Sequence, residues 1–167
     1  MERLFRPWRL AYVSAPKEGP TAGTGCFLCD AAASTDDAAS LVVAREPAAF
    51  VVLNRYPYNS GHVMVVPTRH IGDLELLTVE ERMALMDLLI RSLAALKVEM
   101  TPDGCNVGIN IGRAAGAGAP DHLHIHAVPR WSGDTNFMPL FGDTMVLPEG
   151  LESTRERLAR RMASAAP

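Results

Sequence analysis

The chain has 167 residues, enough for one domain with a full core, and its 48% hydrophobic and 21% charged residues are those of an ordinary globular protein. A formal net charge of −3 gives no reason to expect a nucleic-acid polymer as partner, and no apolar run approaches the ~20 residues of a membrane span. The N-terminus has charge scattered through it and no signal-length apolar segment, so the expected location is the cytoplasm; there, three cysteines argue against a disulfide framework and for a close pair as metal ligands or a redox couple.

Residues 1–40 are rich in Gly, Pro, Ala and Ser and are expected to form an irregular arm packed on the domain, flexible from Ala31 to Ser40. Within the arm, Pro7-Trp8-Arg9 and Cys26-Phe27-Leu28-Cys29 stand out. Ala49 to Asn54 and His62 to Pro67 are short runs rich in Val and Phe joined by Tyr-Pro-Tyr-Asn-Ser-Gly, the pattern of two antiparallel strands. Thr78-Val-Glu-Glu81 is a capping-box sequence, and the apolar residues Val79, Met83, Met86, Leu89, Ile90, Leu93 and Leu96 then recur as one helical stripe. This predicts a long helix to about Val98, closed by the turn chemistry of Thr101-Pro-Asp-Gly104.

From Cys105 to Ile111 the chain alternates, with Cys105, Val107, Ile109 and Ile111 on one face and Asn106, Gly108 and Asn110 on the other. Cys105 is expected in the core. A glycine between two carboxamides leaves room for a ligand, although a solvent-facing strand fits the same letters. Gly112 to Pro120 is a loop of small residues. His122, His124 and His126 follow at alternate positions, so an extended run puts three imidazoles on one face and Leu123, Ile125 and Ala127 on the other. Pro148 to Ala163 reads as a last helix whose arginines, from Arg155 to Arg161, form a solvated face. The fold class is α+β, an antiparallel sheet of about five strands with a long packed helix and a C-terminal helix. The expected divisions are an arm over 1–40, a main domain over 41–147, and a helix and tail over 148–167.

Three of the five histidines lie on one strand face, a concentration of titratable groups that marks a functional site more often than a core. Imidazole serves metal binding, acid–base chemistry and nucleophilic attack alike, so the triad alone does not choose among them.

The triad resembles the His-x-His-x-His signature of the histidine-triad (HIT) superfamily of nucleotide hydrolases and transferases. The resemblance takes in Gly61-His62, Pro67 to His70, Asn110-Ile-Gly112 and Pro129-Arg-Trp131, and the flanks Pro7-Trp8-Arg9 and Gly133 to Met138 look like a bacterial branch related to diadenosine-tetraphosphate phosphorylases. It implies that His124 is a nucleophile that attacks the α-phosphorus of a dinucleoside polyphosphate and forms a nucleotidyl-histidine, resolved by water or inorganic phosphate. It implies also that His126 and His62 contact the phosphates, that Asn54 binds the ribose, that Asn110 lies near the phosphates, and that the protein is a homodimer. On the residues alone, Asn54 reads equally well as a strand-end turn.

Cys26-x-x-Cys29 has the spacing of half a zinc site. The resemblance implies that His70 and His122 complete a structural zinc centre; the other readings of the pair are packing as small residues or a redox couple. One departure from the family pattern is in the loop Arg113-Ala-Ala-Gly-Ala-Gly-Ala-Pro-Asp121, which lacks the Gln and hydroxyl residue commonly found there. Phosphate is then expected on backbone N–H groups around Gly116 and Gly118. The alternatives are a purine nucleoside phosphoramidase, which the missing hydroxyl disfavours, and a non-catalytic zinc-stabilised nucleotide-binding module.

Overall fold

Val, Phe, Met and Leu fill two consecutive strands, β2 (Ala49–Leu53) and β3 (Val63–Pro67), every residue of which is buried. Strands covered on both sides read as continuous apolar runs and not as alternation, which is why these two were recognisable from residue type. The computed structural model describes residues 25–134 and 149–164. Pro7-Trp8-Arg9 and the segment 135–138 lie outside the described residues. Around the central pair, β1 (Val42–Arg45), β4 (Gly104–Ile109) and β5 (Ile125–Arg130) complete a five-stranded sheet in the order β1-β2-β3-β5-β4, with every neighbouring pair antiparallel.

The arm departs from expectation. Phe27–Ala33 is a helix, α1, with Cys26 at its N-cap. Its exposed carbonyls are met by a long-range cap: Arg45 of β1 donates to Ala31 O (2.9 Å), Ala32 O (2.8 Å) and Ser34 O (2.9 Å), the role cations play at helix C-termini. The segment expected to be flexible is a built turn, in which Asp36 Oδ1 accepts from the backbone N–H groups of Ala38 and Ala39, each at 3.0 Å.

The long helix α2 spans Val79–Met100, and its capping box is formed on both sides, with Thr78 Oγ1 accepting from Glu81 N and Glu81 Oε2 accepting from Thr78 N. It ends at Thr101, in the left-handed region. Its core face is not the stripe read from the sequence. Glu81, Leu85, Leu88, Leu89, Ser92, Ala95 and Leu96 are buried, while Val79, Met83, Met86 and Ile90 are exposed, from 54% at Met86 to 68% at Met83. The exposed series steps by three and four residues, and so does the spine Glu81, Leu85, Leu88, Ser92 and Ala95 of the buried one. They are offset by two, about 200° of helical rotation, and so lie on opposite faces; of the predicted stripe, Leu89 and Leu96 are buried in the core and Leu93 packs against it half-buried.

Helix α3 (Leu151–Ser164) packs on α2 and β1 through Thr154, Leu158 and Met162. Its arginines are engaged as well as solvated: Arg155 donates to Val42 O (2.7 Å), and Arg157 and Arg161 hold Glu99 at the end of α2. At the free edge of the sheet, Cys105 is exposed, which corrects its placement in the core: β4 is an edge strand, and no described element covers that side.

Glu81 ties the start of α2 to the segment that carries His70. Its two oxygens take Arg69 Nε and Arg69 Nη2, both at 2.8 Å, and Arg69 with the Thr78 N–H holds this carboxyl at about 2, below its ordinary 4.5. A depressed carboxylate stabilises the fold fully above its unfolded value and loses that contribution as pH falls through the folded one. Glu81→Gln should therefore lower Tm at neutral pH, by an amount that shrinks between pH 4.5 and about 2. Thermal melts of both proteins across that range are the check, and a pH-independent difference would show that the charge is not the cause.

Candidate active site and metal centre

Regular pairing of the triad strand begins at Ile125, so His122 and His124 precede it and His126 lies within it, opposite Met64 of β3 and Gly108 of β4. Leu123, Ile125 and Ala127 are buried as the alternation requires, but His122 and His124 are buried too. The three imidazoles serve two places. His122 turns toward the cysteines of the arm, whereas His124 and His126, edge to face with centroids 4.8 Å apart, line a cavity of about 540 Å³.

His124 Nδ1 lies 2.8 Å from the carbonyl of His122. A carbonyl only accepts, so Nδ1 carries the hydrogen and Nε2 keeps its lone pair. Burial lowers the His124 pKa, partly offset by that same bond, so the ring is favoured in its neutral form. A neutral imidazole with a fixed tautomer is a prepared nucleophile.

A second chain of bonds orients His126. The backbone N–H of Tyr58 donates to His62 Nδ1 (3.1 Å), so the hydrogen of neutral His62 is on Nε2, which faces His126 Nδ1 at 2.9 Å. His126 Nδ1 therefore accepts, and its own hydrogen sits on Nε2 as a donor. The Tyr58 ring stacks on His62 at 4.9 Å. His62 itself is wholly buried, and its position depends on the preceding residue: Gly61 has φ +75°, and a Cβ there would overlap Met100 Sδ of α2. A glycine lets the helix end and the histidine loop meet.

The apolar wall of the cavity comes from Phe27 of α1, Leu41, Val52 and Leu53, a surface suited to a flat ring, and Asn54, Gly116 and Gly118 also line it. Asn54 makes the turn contact expected of a strand-end residue, its Oδ1 accepting from Tyr56 N (2.9 Å), and it also lines the cavity. Asn110 is elsewhere. It borders a second cavity that shares His126 and Tyr58 with the first. The glycine loop differs from expectation in its backbone: Gly116 adopts φ +87°, but its N–H is committed to Arg113 O (3.0 Å), and Gly118 does not have a positive φ. The Gly116 amide closes a turn and is not presented to a ligand. Tyr58, Phe27 and Leu41 are contributors the sequence reading missed; only Tyr58, four residues before His62, had a local signal.

Cys26, Cys29, His70 and His122 offer ligand atoms that all lie within 4.8 Å of one another. His122 Nε2 donates to Pro67 O (2.9 Å), which leaves the Nδ1 lone pair facing Cys26 Sγ (3.3 Å) and Cys29 Sγ (3.4 Å), and His70 Nδ1 lies 3.1 Å from Cys29 Sγ. The tautomer of His122 is thus set by its outer partner, as in metal-bound histidines. These four residues could hold a metal ion. The set joins the N-cap of α1, the turn after β3 and the first triad histidine.

Comparison with known proteins fits this geometry. The family model of the HIT domain matches residues 35–133. The chain belongs to the HIT family. This HIT protein is 41% identical over 166 residues to the AP-4-A phosphorylase of Mycobacterium tuberculosis, covering 98% of the chain and 85% of that relative. Among solved structures, it resembles a Zn-bound histidine triad family protein from Mycobacterium smegmatis, with 24% identity, a TM-score of 0.66, and 83% and 94% of the two chains covered. The diadenosine triphosphate hydrolase of Plasmodium falciparum aligns over 95% of each chain at 16% identity and a TM-score of 0.56. At these identities the structural likenesses speak for the HIT fold.

Proposed function

We propose that the protein is a nucleotidyl hydrolase or transferase acting on dinucleoside polyphosphates through a covalent intermediate on His124. The observation that carries this reading is the fixed tautomer of His124, whose Nδ1–H is tied to its own backbone so that Nε2 is held ready at the cavity. The 41% identity to an AP-4-A phosphorylase over 98% of the chain supports the substrate class.

One nucleoside sits against Phe27, Leu41, Val52 and Leu53 with its ribose at Asn54. His124 Nε2 attacks the α-phosphorus, an N–P bond forms, and the P–O bond to the remaining polyphosphate breaks with its electron pair on the departing oxygen. The Nε2–H of His126, oriented through His62 and Tyr58, donates to the oxygens on which charge collects. Water or inorganic phosphate then attacks phosphorus, and His124 leaves. The phosphates are bound without a side-chain hydroxyl from the Arg113–Asp121 loop, because it has none. That absence disfavours a phosphoramidase, whose amine leaving group needs a proton.

These four residues would hold zinc in a structural role, since two thiols and two imidazoles are the donor set of a closed structural site and would leave no open position for substrate. Bound there, it would fasten α1 to the triad segment. A homodimer fits the exposed Val79, Met83, Met86 and Ile90 face of α2 and the open edge of β4. No helix among the described residues is long and apolar enough to cross a membrane, in keeping with a cytoplasmic enzyme.

The test is product analysis with diadenosine tetraphosphate, with and without inorganic phosphate. ADP plus ATP formed only with phosphate marks phosphorolysis, and AMP plus ATP without it marks hydrolysis at the α-phosphorus. No turnover under either condition would overturn the enzymatic reading and leave the non-catalytic module. A specificity constant higher for adenosine 5′-phosphoramidate than for the dinucleotide would promote the phosphoramidase.

A further inference from the structure

Strand β5 runs into a turn, Trp131-Ser132-Gly133-Asp134, that is closed from both sides. Asp134 N donates to Trp131 O (3.1 Å), and Gly133, third in the turn, has φ +76°, which glycine adopts without strain. The side chain completes the closure, since Asp134 Oδ2 accepts from Trp131 N (3.2 Å), while Ser132 N donates to Asp103 Oδ2 (2.6 Å). The Asp134 carboxylate is thereby folded back toward the strand, and its side chain is only 10% exposed.

A carboxylate so nearly buried needs partners, and this one collects them from two elements. Arg130, at the end of β5, gives Nε to Oδ2 (2.6 Å) and Nη2 to Oδ1 (3.0 Å). Asn59, in the loop between β2 and β3, gives Nδ2 to Oδ2 (2.8 Å) and also to Pro129 O (3.2 Å), so both hydrogens of that amide are spent on the end of β5. Bonds to an ionised acceptor are roughly twice as strong as neutral ones, which makes Asp134 the firmer of the two holds on Asn59.

Asn59 belongs to the segment that shapes His62. Its carbonyl accepts from His62 N (3.2 Å), and the residue before it, Tyr58, gives its N–H to His62 Nδ1 (3.1 Å). The bond that sets the tautomer of His62, and through it the donor on His126, is made by a backbone amide one residue away from the side chain that Asp134 grips. The path leaves the end of β5 at Asp134 and returns to the strand at His126.

We propose that Asp134 is a positioning residue for the active site: through Asn59 it holds the Tyr58 amide against His62, which fixes the tautomers of His62 and His126 and keeps a hydrogen on His126 Nε2. The proposal rests on the nucleotidyl-transfer reading only for the use made of that hydrogen. Without the grip, Tyr58 N moves off His62 Nδ1, and either nitrogen of His62 can carry the hydrogen. Where Nδ1 carries it, His62 Nε2 accepts from His126 Nδ1, and His126 Nε2 is left with a lone pair in place of a donor.

Nitrogen-15 NMR of the histidine rings reads this in the full-length, substrate-free protein at mildly alkaline pH, because a ring nitrogen with hydrogen resonates far from one without. In the unaltered protein His62 and His126 should each show one tautomer, with hydrogen on Nε2. Asp134→Ala and Asn59→Ala should both show mixtures at these two rings and leave His124 unchanged, its hydrogen being tied to the His122 carbonyl. Asn59→Ala spares the turn and the ion pair, and so keeps the test in force if Asp134→Ala does not fold. Arg130→Ala removes the same ion pair without touching the Asn59 contact, and should keep single tautomers even where its Tm falls. Single tautomers in Asn59→Ala, or a mixture already present in the unaltered protein, would overturn the proposal. So would an equal mixture in Arg130→Ala, which marks a general loosening of the strand end. In turnover of diadenosine tetraphosphate, kcat of Asn59→Ala should fall about tenfold with KM within about twofold, part of the cost of losing a donor outright. Mixed tautomers with kcat unchanged would leave the positioning role standing and overturn the use of His126 as a donor.

Discussion

Replacing His124 by Ala should lower turnover of diadenosine tetraphosphate by about 10⁴-fold or more, a loss of ~5.4 kcal/mol of barrier stabilisation, while AMP still binds. The size follows from geometry. His124 is the imidazole whose Nε2 lone pair is freed at the first cavity by a bond from Nδ1 to a backbone carbonyl. The two other histidines nearby are committed differently: His62 Nδ1 accepts from Tyr58 N, and His126 Nδ1 accepts from His62. Neither can take over attack without breaking that chain. His126→Ala removes one donor from developing charge and should cost less, about 10²- to 10³-fold. Quenched reactions with labelled substrate should trap a nucleotidyl-protein in the unaltered enzyme and none in His124→Ala. Turnover of His124→Ala within about tenfold of the original, only ~1.4 kcal/mol of barrier, would exclude covalent catalysis by this residue.

The side chains gathered at the candidate site were legible in the sequence because chemistry constrains residue type at fixed spacing. Three histidines at period two, a histidine after Gly61 and a Cys-x-x-Cys pair announce themselves wherever the chain goes. The strands β2 and β3 and both ends of α2 were legible for a related reason: unbroken apolar runs and a capping box are local signals. What was not legible depends on partners distant in sequence. Helix α1 is seven residues long, too short to form alone; it exists because Arg45 caps it and its cysteines meet His70 and His122. The face of α2 was misjudged because the helix carries two apolar stripes, and packing against the sheet and α3, both distant in sequence, decides which is covered. The cavity wall combines Phe27, Leu41 and Val52, which no local pattern groups together. The Gly116 amide is turned away from the expected role for a local reason the letters hide, since a glycine at positive φ can spend its N–H on closing its own turn.

Protein purified without chelator should contain one zinc per chain, and the double variant Cys26→Ser/Cys29→Ser should contain none. Binding to the native state alone adds to folding free energy. A ligand at a thousandfold its dissociation constant contributes ~4 kcal/mol, which in a domain of this size shifts Tm by about 10 °C. The loss should also reach the active site by two routes visible in the geometry. Cys26 and Cys29 sit at the N-terminal end of α1, and that helix supplies Phe27 to the cavity wall, so a loosened α1 should raise the Kd of AMP. His122 is both a member of the metal group and the residue whose carbonyl fixes the tautomer of His124. Its ring is anchored to Pro67 O on one side and the cysteine cluster on the other, so removing the cluster frees half of that anchorage and should lower kcat as well. His70→Ala leaves both thiols and His122 in place, and should weaken zinc retention with a smaller loss of Tm. Full zinc content in the double variant, or an unchanged Tm after its loss, would show that these four residues do not form the structural centre that joins the arm to the triad.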